Sequence, residues 1–238
     1  MTARVSAHRG DSSVFRENTL PAVRSAIAKG AEVVEIDVRL TADGDVVVLH
    51  DPTLERLWND PRPIDTVSTA EVLALGAEDD RPPLLAEVLA LFVGSASRLV
   101  VDMDEERPAA PAHAVVAHSG VTVDWCGDLE AMRILRALDP AARLWLPWRR
   151  LHVPSAETLA ELSPVTVNVP FPIVDEAFVR GVHDLGLPVT AWTVDEPDDL
   201  ARALALGVDT ITTNRLDRLQ AMRDAWPAAA LPVEEVAR

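Results

Sequence analysis

The sequence contains one cysteine and lacks any apolar run long enough to cross a membrane. Cys126 is the only cysteine among 238 residues, so no disulfide can form within the chain and a cysteine-based zinc site is not expected. No stretch reaches the roughly 18 apolar residues of a membrane span. Residues 1–5 lack the apolar segment of a signal peptide, and we therefore expect a cytoplasmic protein.

Positive charge is also scarce. The chain has 22 lysines and arginines against 38 aspartates and glutamates, which gives a net charge of −16 at pH 7. Such a field repels nucleic acid and anionic membranes, and we expect neither as a partner. It also repels phosphate, so a phosphorylated ligand would need a bound cation or local arginines at its site.

Short β-branched runs alternate with helical patterns along the chain, which is typical of a parallel sheet with crossover helices. Eight of the nine runs are followed by a helical pattern. The runs are residues 4–8, 33–38, 46–50, 99–104, 121–125, 144–147, 165–169, 189–194 and 210–213. The sequence therefore predicts an α/β fold, a (β/α)8 TIM barrel, as a single domain over residues 1–238.

The exception is the run at residues 46–50, which only seven residues separate from the run before it. That distance is too short for a crossover helix, and Asp43-Gly44 is a strong hairpin signal. We expect an antiparallel return strand that places Asp37 roughly opposite His50. Residues 52–83, which contain five prolines, follow as a small cap insertion.

Acidic residues cluster at the predicted carboxyl ends of the strands, where barrels of this kind place their active sites. Glu35 and Asp37 are two residues apart on one strand and share a face. Asp102 adds a third carboxylate from a neighbouring strand. Together they suit a hard divalent cation, Mg²⁺ or Ca²⁺. The alternative is an ion-pair network with arginines of the barrel.

Two histidines are predicted at the same end of the barrel. His8 ends the first strand and His50 ends the hairpin, and such a pair can serve as base and acid in one displacement. Arg9 follows His8 and could hold a phosphate oxygen, or form a structural salt bridge.

Three tryptophans, Trp125, Trp145 and Trp148, fall at predicted strand ends. They suit either a choline-like headgroup, through cation–π contact, or core packing. Cys126 has no base partner in the sequence and is expected to be an inert, packed thiol.

Several motifs together resemble the signature of the glycerophosphodiester phosphodiesterase family. They are His8-Arg9-Gly10, Glu17-Asn18-Thr19, Glu35-Ile36-Asp37-Val38 and the stretch from Thr41-Ala42-Asp43-Gly44 to His50-Asp51. Later segments, including Ala191-Trp192-Thr193-Val194, match more loosely. The resemblance is strong over residues 5–52 and weak over residues 105–185.

The resemblance implies a metal-dependent enzyme that hydrolyses glycerophosphodiesters, as small-molecule substrates, to glycerol 3-phosphate and an alcohol. By the same resemblance, the site residues are His8 and His50 as the catalytic acid/base pair, Glu35, Asp37 and Asp102 as ligands of Mg²⁺ or Ca²⁺, Arg9 as a phosphate contact and Trp192 as an aromatic wall. Glu17, Asn18, Asp104 and Asn214 are additional candidates.

The chain departs from the family pattern at three positions. Asp104 stands where the family usually has a lysine, Arg16 replaces a proline, and Asn214 replaces an aspartate. An anion in place of a cation that steadies phosphate would weaken catalysis unless something offsets it. Two alternatives therefore stay open. One is a phosphodiesterase or lyase of altered substrate, similar to lysophospholipase D or sphingomyelinase D. The other is an impaired barrel that only binds a phosphorylated ligand.

Overall fold

The computed structural model describes residues 2–226 and shows a closed barrel of eight parallel strands. In chain order the strands are β1 (Arg4–His8), β2 (Val33–Leu40), β3 (Val46–Val48), β4 (Thr53–Leu54), β5 (Asp60–Pro63), β6 (Arg98–Met103), β7 (Val123–Gly127), β8 (Arg143–Pro147), β9 (Thr166–Pro170), β10 (Val189–Trp192) and β11 (Thr210–Thr213). The barrel closes because β1 pairs in parallel with both β2 and β11. The predicted TIM barrel is confirmed. Met1 and residues 227–238 of the expected single domain lie outside the described residues.

Helices connect the strands and form the outer layer. They are α1 (Leu20–Ala28), α2 (Glu55–Trp58), α3 (Thr69–Leu73), α4 (Leu85–Ala90), α5 (Ala109–Ser119), α6 (Leu129–Leu138), α7 (Ala156–Leu162), α8 (Glu176–Asp184), α9 (Pro197–Ala205) and α10 (Leu216–Ala225). Within residues 2–226, no helix is both long enough and apolar enough to span a bilayer.

Local sequence explains why these elements form. The barrel strands are rich in β-branched residues and buried on both faces, as in β2, where seven of eight residues are buried. The helices bury one apolar stripe, such as Ala131, Met132 and Leu135 of α6. Asp128 begins α6 by accepting the backbone N–H groups of Glu130 and Ala131.

The hairpin differs from the prediction by one residue of register. β3 pairs antiparallel with β2 so that Val38 faces Val48, and the Leu49 N–H donates to the Asp37 carbonyl at 3.0 Å. Asp37 therefore lies opposite Leu49, and His50 follows two residues after β3. The reason is the turn, because a five-residue loop over residues 41–45 is centred on Asp43 rather than between Asp43 and Gly44.

The predicted insertion after the hairpin is present and carries β4, β5, α2 and α3. It has a small apolar cluster of its own, in which Leu54, Ile64 and Val72 pack against Val47 and Leu49 of the hairpin. Arg56 of α2 reaches the loops at the carboxyl end of the barrel, where it pairs with Glu17 and Asp51. The cap thus covers one side of the strand ends that carry the site.

Candidate active site

A cavity of about 510 Å³ opens at the carboxyl ends of the barrel strands. Most of the candidate residues line it, and they come from β1, β2, β6, β10 and the end of the hairpin. These are His8, Arg9, Glu35, Asp37, His50, Asp102, Asp104 and Trp192. Glu17, Asn18 and Asn214 lie behind this lining, where each bonds to a residue that faces the cavity.

Hydrogen bonds fix the ring orientation of His8. Its Nδ1 lies 2.8 Å from Asn214 Oδ1, while Asn214 Nδ2 donates to Asp195 at 2.8 Å. Since the amide oxygen of Asn214 can only accept, Nδ1 of His8 is the donor and the neutral ring carries its lone pair on Nε2. Burial, and then the positive charge of Arg9, lower the pKa of His8, which favours that neutral form.

The three predicted carboxylates occupy two adjacent strands. Asp37 of β2 and Asp102 of β6 are directly paired in register, and Glu35 lies two residues before Asp37. Burial, followed by the charge of Asp37, raises the pKa of Glu35. Removal from water, and then the charges of Asp37 and Asp104, raise the pKa of Asp102 to about 7. The strand ends therefore concentrate negative charge that is only partly balanced.

The positive charge of Arg9 offsets part of the negative charge at the strand ends. Its backbone N–H donates to Glu35 Oε2 at 2.9 Å, and its guanidinium donates to Glu17 at 2.7 Å. Arg9 Nε lies 3.2 Å from Asp37 Oδ2, an ion pair in which the N–H does not point at the oxygen. Arg9 thus faces the cavity while held by carboxylates, so both of the roles expected from the sequence fit its position.

Asn18 holds Asp37 from the side that faces away from the cavity. Its Nδ2 donates to Asp37 Oδ2 at 2.7 Å and its Oδ1 accepts the Asp37 backbone N–H at 3.2 Å. Asn18 has a left-handed backbone, with φ of 58°, which a short polar side chain tolerates better than most. This contact ties the loop before α1 to β2.

The carboxylate oxygens are donors of the type that a divalent cation prefers, but in this structure they do not meet around a common point. Glu35, Asp37 and Asp102 are hard oxygen donors. Burial, and then repulsion between the carboxylates, raise the pKa of Glu35 and Asp102, and a cation would relieve that repulsion. Over residues 2–226, however, no three acidic, histidine or cysteine side chains are close enough to ligate one ion. The donor set fits Mg²⁺ or Ca²⁺, with side-chain rotation needed to bring the oxygens together.

His50 is oriented by a chain of charged groups. Its Nδ1 lies 2.7 Å from Asp51 Oδ1, and Arg56 donates to the second oxygen of Asp51. Arg56 bonds Glu17 as well, which in turn accepts from Arg9. Hydrogen bonding from Arg56 lowers the pKa of Asp51 to about 2. His50 is therefore hydrogen-bonded through Nδ1 to a carboxylate that stays ionised near neutral pH, and its Nε2 is available to a ligand.

Asp104, the departure from the family lysine, is bound by Arg39 of β2. Arg39 Nη2 donates to Asp104 Oδ2 at 3.0 Å and Arg39 Nε donates to the His50 carbonyl. Arg39 is nearly buried and does not line the cavity. Arg39 neutralises Asp104 without replacing the missing lysine at the cavity surface.

Arg16, the second departure, points away from the cavity. Its guanidinium stacks 4.4 Å from the centre of the Trp58 ring and pairs with Asp80 at 3.2 Å, both in the cap insertion. It adds no charge to the ligand space.

The wall of the cavity opposite the hairpin carries aromatic rings and arginines. Trp145, Trp148, Arg149 and Arg150 from β8 and its following loop line it, next to Trp192 of β10. Trp125 does not line the cavity but is buried near His113, so core packing is the role that its position supports. Cys126 is buried there with an Asn168 amide donating to its sulfur, and burial raises its pKa, which keeps it an unreactive thiol.

Sequence reasoning missed several residues that shape the site. Arg39, Arg56 and Asp195 each hold a candidate residue in place, but each comes from a different element and carries no motif. Asp51 was visible as part of the His50-Asp51 motif. The arginines of the β8 loop could have been found from their position directly after a barrel strand.

A barrel with two oriented histidines and three acids at its carboxyl end is the frame of a hydrolytic enzyme, and comparison with known proteins defines the class. Residues 8–218 match the model of the glycerophosphoryl diester phosphodiesterase family. The chain therefore belongs to this family, and it is a phosphoric diester hydrolase.

Individual relatives agree with that assignment. The chain is 31% identical over 248 residues to "Probable glycerophosphodiester phosphodiesterase 2" of Mycobacterium tuberculosis, with 94% of this chain and 92% of that protein covered. It is 28% identical over 238 residues to the glycerophosphodiester phosphodiesterase of Caldanaerobacter subterraneus, covering 90% of this chain and 95% of the relative.

A solved structure shows the same fold. The structure of an Oleispira antarctica phosphodiesterase in complex with the product sn-glycerol-3-phosphate superimposes with a TM-score of 0.85 at 24% identity. The match covers 94% of this chain and 98% of that one.

Proposed function

We propose that this protein hydrolyses glycerophosphodiesters to glycerol 3-phosphate and an alcohol, with a divalent cation and with His8 and His50 as base and acid. One observation carries the proposal. Both imidazoles are fixed through Nδ1, by Asn214 and by Asp51, and both line one cavity together with Glu35, Asp37 and Asp102.

His8 fits the role of the base. Its hydrogen bond to Asn214 leaves the lone pair on Nε2, and its lowered pKa keeps the ring neutral near pH 7. It can therefore take a proton from the attacking hydroxyl, whether that hydroxyl belongs to water or to the glycerol of the substrate.

His50 fits the role of the acid. Asp51 accepts from Nδ1 and stabilises the ring in one orientation, as the carboxylate does in other carboxylate–histidine pairs. A proton on Nε2 can then pass to the alcohol oxygen as its bond to phosphorus breaks. The Arg39 contact to the His50 carbonyl holds the backbone from which this ring projects.

The cation would be held by Glu35, Asp37 and Asp102. When bound, it would polarise the phosphoryl group and offset the negative charge of the substrate. Arg9 adds positive charge beside these acids, and Trp192 adds an aromatic surface to the same cavity.

The product assignment draws support from a relative. The structure of the Oleispira antarctica phosphodiesterase is a complex with the product sn-glycerol-3-phosphate, and this chain shares its fold. We carry the product over as part of the proposal. The cytoplasmic location and the single domain over residues 1–238 remain predictions from the sequence.

The proposal is tested by assaying glycerol 3-phosphate release from glycerophosphoethanolamine, with Mg²⁺, Ca²⁺ or chelator. We expect release that needs the cation and falls by about a hundredfold or more in His8→Ala and in His50→Ala, because each removes a proton-transfer group. The control is His118→Ala, an exposed residue on α5, which should leave the rate unchanged. Full activity in chelator, or in either histidine variant, would contradict the mechanism.

Asp104 is the observation that favours an impaired, ligand-binding barrel as a second candidate. With Arg39 bound to it, Asp104 offers no cation to the phosphate. If the parent chain is inactive and Asp104→Lys is active, the natural protein is a disabled member of the family. Activity in the parent chain would show instead that Asp104 is tolerated.

A further inference from the structure

The loop after β8 gives one wall of the cavity a positive charge that the proposed chemistry does not use. Arg149 and Arg150 are adjacent, exposed and part of the cavity lining. Within residues 2–226 neither forms an ion pair with a carboxylate, whereas Arg133, Arg143 and Arg180 each do. In a chain with a net charge of −16, two adjacent unpaired arginines at a ligand cavity are an unusual placement.

The arginines also lie over two of the three tryptophan rings of this wall. The Arg149 guanidinium lies 4.9 Å from the centre of the Trp192 ring, and that of Arg150 lies 5.3 Å from the Trp148 ring. The His152 ring packs against Trp148 edge-on at 5.6 Å. A quaternary ammonium group, which needs an open aromatic face, would meet guanidinium groups here instead.

Within residues 2–226, none of the acids that line the cavity forms an ion pair with Arg149 or Arg150. Asp128 is engaged as the N-cap of α6, and Asp104 is paired with Arg39. The acids at the base of the cavity are those that Arg9 and the proposed cation would neutralise. The unpaired cationic groups on this side are therefore free to act on the part of a substrate that extends past its phosphate.

We propose that Arg149 and Arg150 form a headgroup site that selects glycerophosphodiesters whose alcohol carries a negative charge, such as a carboxylate or a second phosphate. The inference rests on the proposed function and names its substrate class. Guanidinium groups bind carboxylate and phosphate through paired N–H donors, and stacking on Trp148 and Trp192 holds their planes in position. The same charge disfavours choline and ethanolamine headgroups.

The test compares three diesters of glycerol 3-phosphate, formed with glycolate, with ethanol and with choline. They differ in the charge beyond the phosphate, which is negative, absent and positive. We expect kcat/KM to fall in that order, by about tenfold from glycolate to choline, and the preference to weaken with added salt. In the double variant Arg149→Gln, Arg150→Gln the glycolate-to-choline ratio should fall to about one, and the double lysine variant should keep most of it.

A matched double variant, Arg4→Gln with Arg180→Gln, removes the same charge away from the cavity and should keep the ratio. A choline preference in the parent chain would overturn the inference, as would a ratio that survives the double glutamine change. An equal loss for all three diesters would place the arginines on the shared phosphate and overturn it too. If no diester is hydrolysed with any cation, both the proposed function and the headgroup site are overturned. If the three diesters are hydrolysed at equal rates, only the headgroup site is overturned.

Discussion

Individual hydrogen bonds, buried or partly buried, determine how the functional side chains of this barrel are oriented. Asn214 selects the tautomer of His8, Asp51 orients His50, and Asn18 holds Asp37 through both its carboxylate and its backbone N–H. None of these supporting groups needs to touch a substrate. Substitutions of these supporting groups should therefore change the stability of the fold or the orientation of a histidine ring, and both can be measured separately from the catalytic rate.

At Asn18 the expected effect is on stability. Asn18→Ala removes two buried hydrogen bonds and places alanine at a positive φ. Asn59→Ala has a similar backbone cost, with φ of 55°, but loses no side-chain hydrogen bond to any residue from 2 to 226. We expect Asn18→Ala to lower the free energy of unfolding by about 2 kcal/mol more than Asn59→Ala in urea denaturation. Equal losses would show that the Asn18 side chain does not stabilise β2.

At Asp51 the expected effect depends on pH. Its pKa of about 2 in the folded protein lies below the ordinary value of about 3.9, so its stabilising contribution is present above about pH 4 and is lost as pH falls towards 2. Because Arg56 is half exposed, we expect Asp51→Asn to cost only about 1 kcal/mol at pH 7 and less at pH 3. Denaturation at the two pH values checks this, with Asp198→Asn on α9 as control. A cost that is constant or larger at pH 3 would contradict the assigned pKa.

At the scale of elements, the close approach of β7 to β6 shapes the floor of the site. Gly127 ends β7 with φ of 116°, and a Cβ atom there would lie 2.1 Å from the Met103 carbonyl oxygen and 2.7 Å from Asp102 Oδ1. Only glycine lets the two strand ends pack with Asp102 in its present position.

We therefore expect Gly127→Ala to destabilise the fold by at least about 2 kcal/mol and to reduce activity, since it displaces both backbone and carboxylate. Gly44→Ala in the hairpin turn is the control, because its φ of 85° is also positive while no atom of residues 2–226 lies within 4 Å of the added Cβ. It should cost only about 1 kcal/mol and leave the rate intact. Similar losses in the two variants would show that backbone strain alone, rather than the clash at Asp102, is responsible.

The sequence predicts the strands of this barrel better than the contacts between its side chains. Hydrophobic periodicity and spacing predict the eight barrel strands, and residues two apart on β2 must share a face, so Glu35 and Asp37 could be placed beforehand. The hairpin register could not be placed to the residue, because loop length decides it. The Arg39–Asp104 pair and the Arg149–Trp192 stack could not be predicted either, since each depends on side-chain rotamers of elements far apart in sequence.

For the whole molecule, the balance of charge links the fold to the proposed cation. A net charge of −16 and three acids on two adjacent strands at the carboxyl end of the barrel leave the site short of positive charge, even with Arg9 in place. A ligand that binds only the folded state raises its stability by mass action. Cation binding should therefore be visible without any substrate.

We expect millimolar Mg²⁺ or Ca²⁺ to raise the Tm of chelator-treated protein by several degrees in calorimetry at pH 8. Asp102→Asn should abolish the rise, and Asp199→Asn in the first turn of α9 should retain it. No rise with either cation, or a rise that persists in Asp102→Asn, would contradict the assignment of these acids to a cation.

The most direct test of the account is a phosphorus-31 NMR time course of a glycerophosphodiester with the purified protein and its cation. Hydrolysis by the proposed route predicts that the diester signal is replaced by that of glycerol 3-phosphate, with any cyclic phosphate rising and then disappearing. An unchanged diester, or a cyclic phosphate that accumulates as the final product, would contradict the assignment of this barrel as a glycerophosphodiester hydrolase.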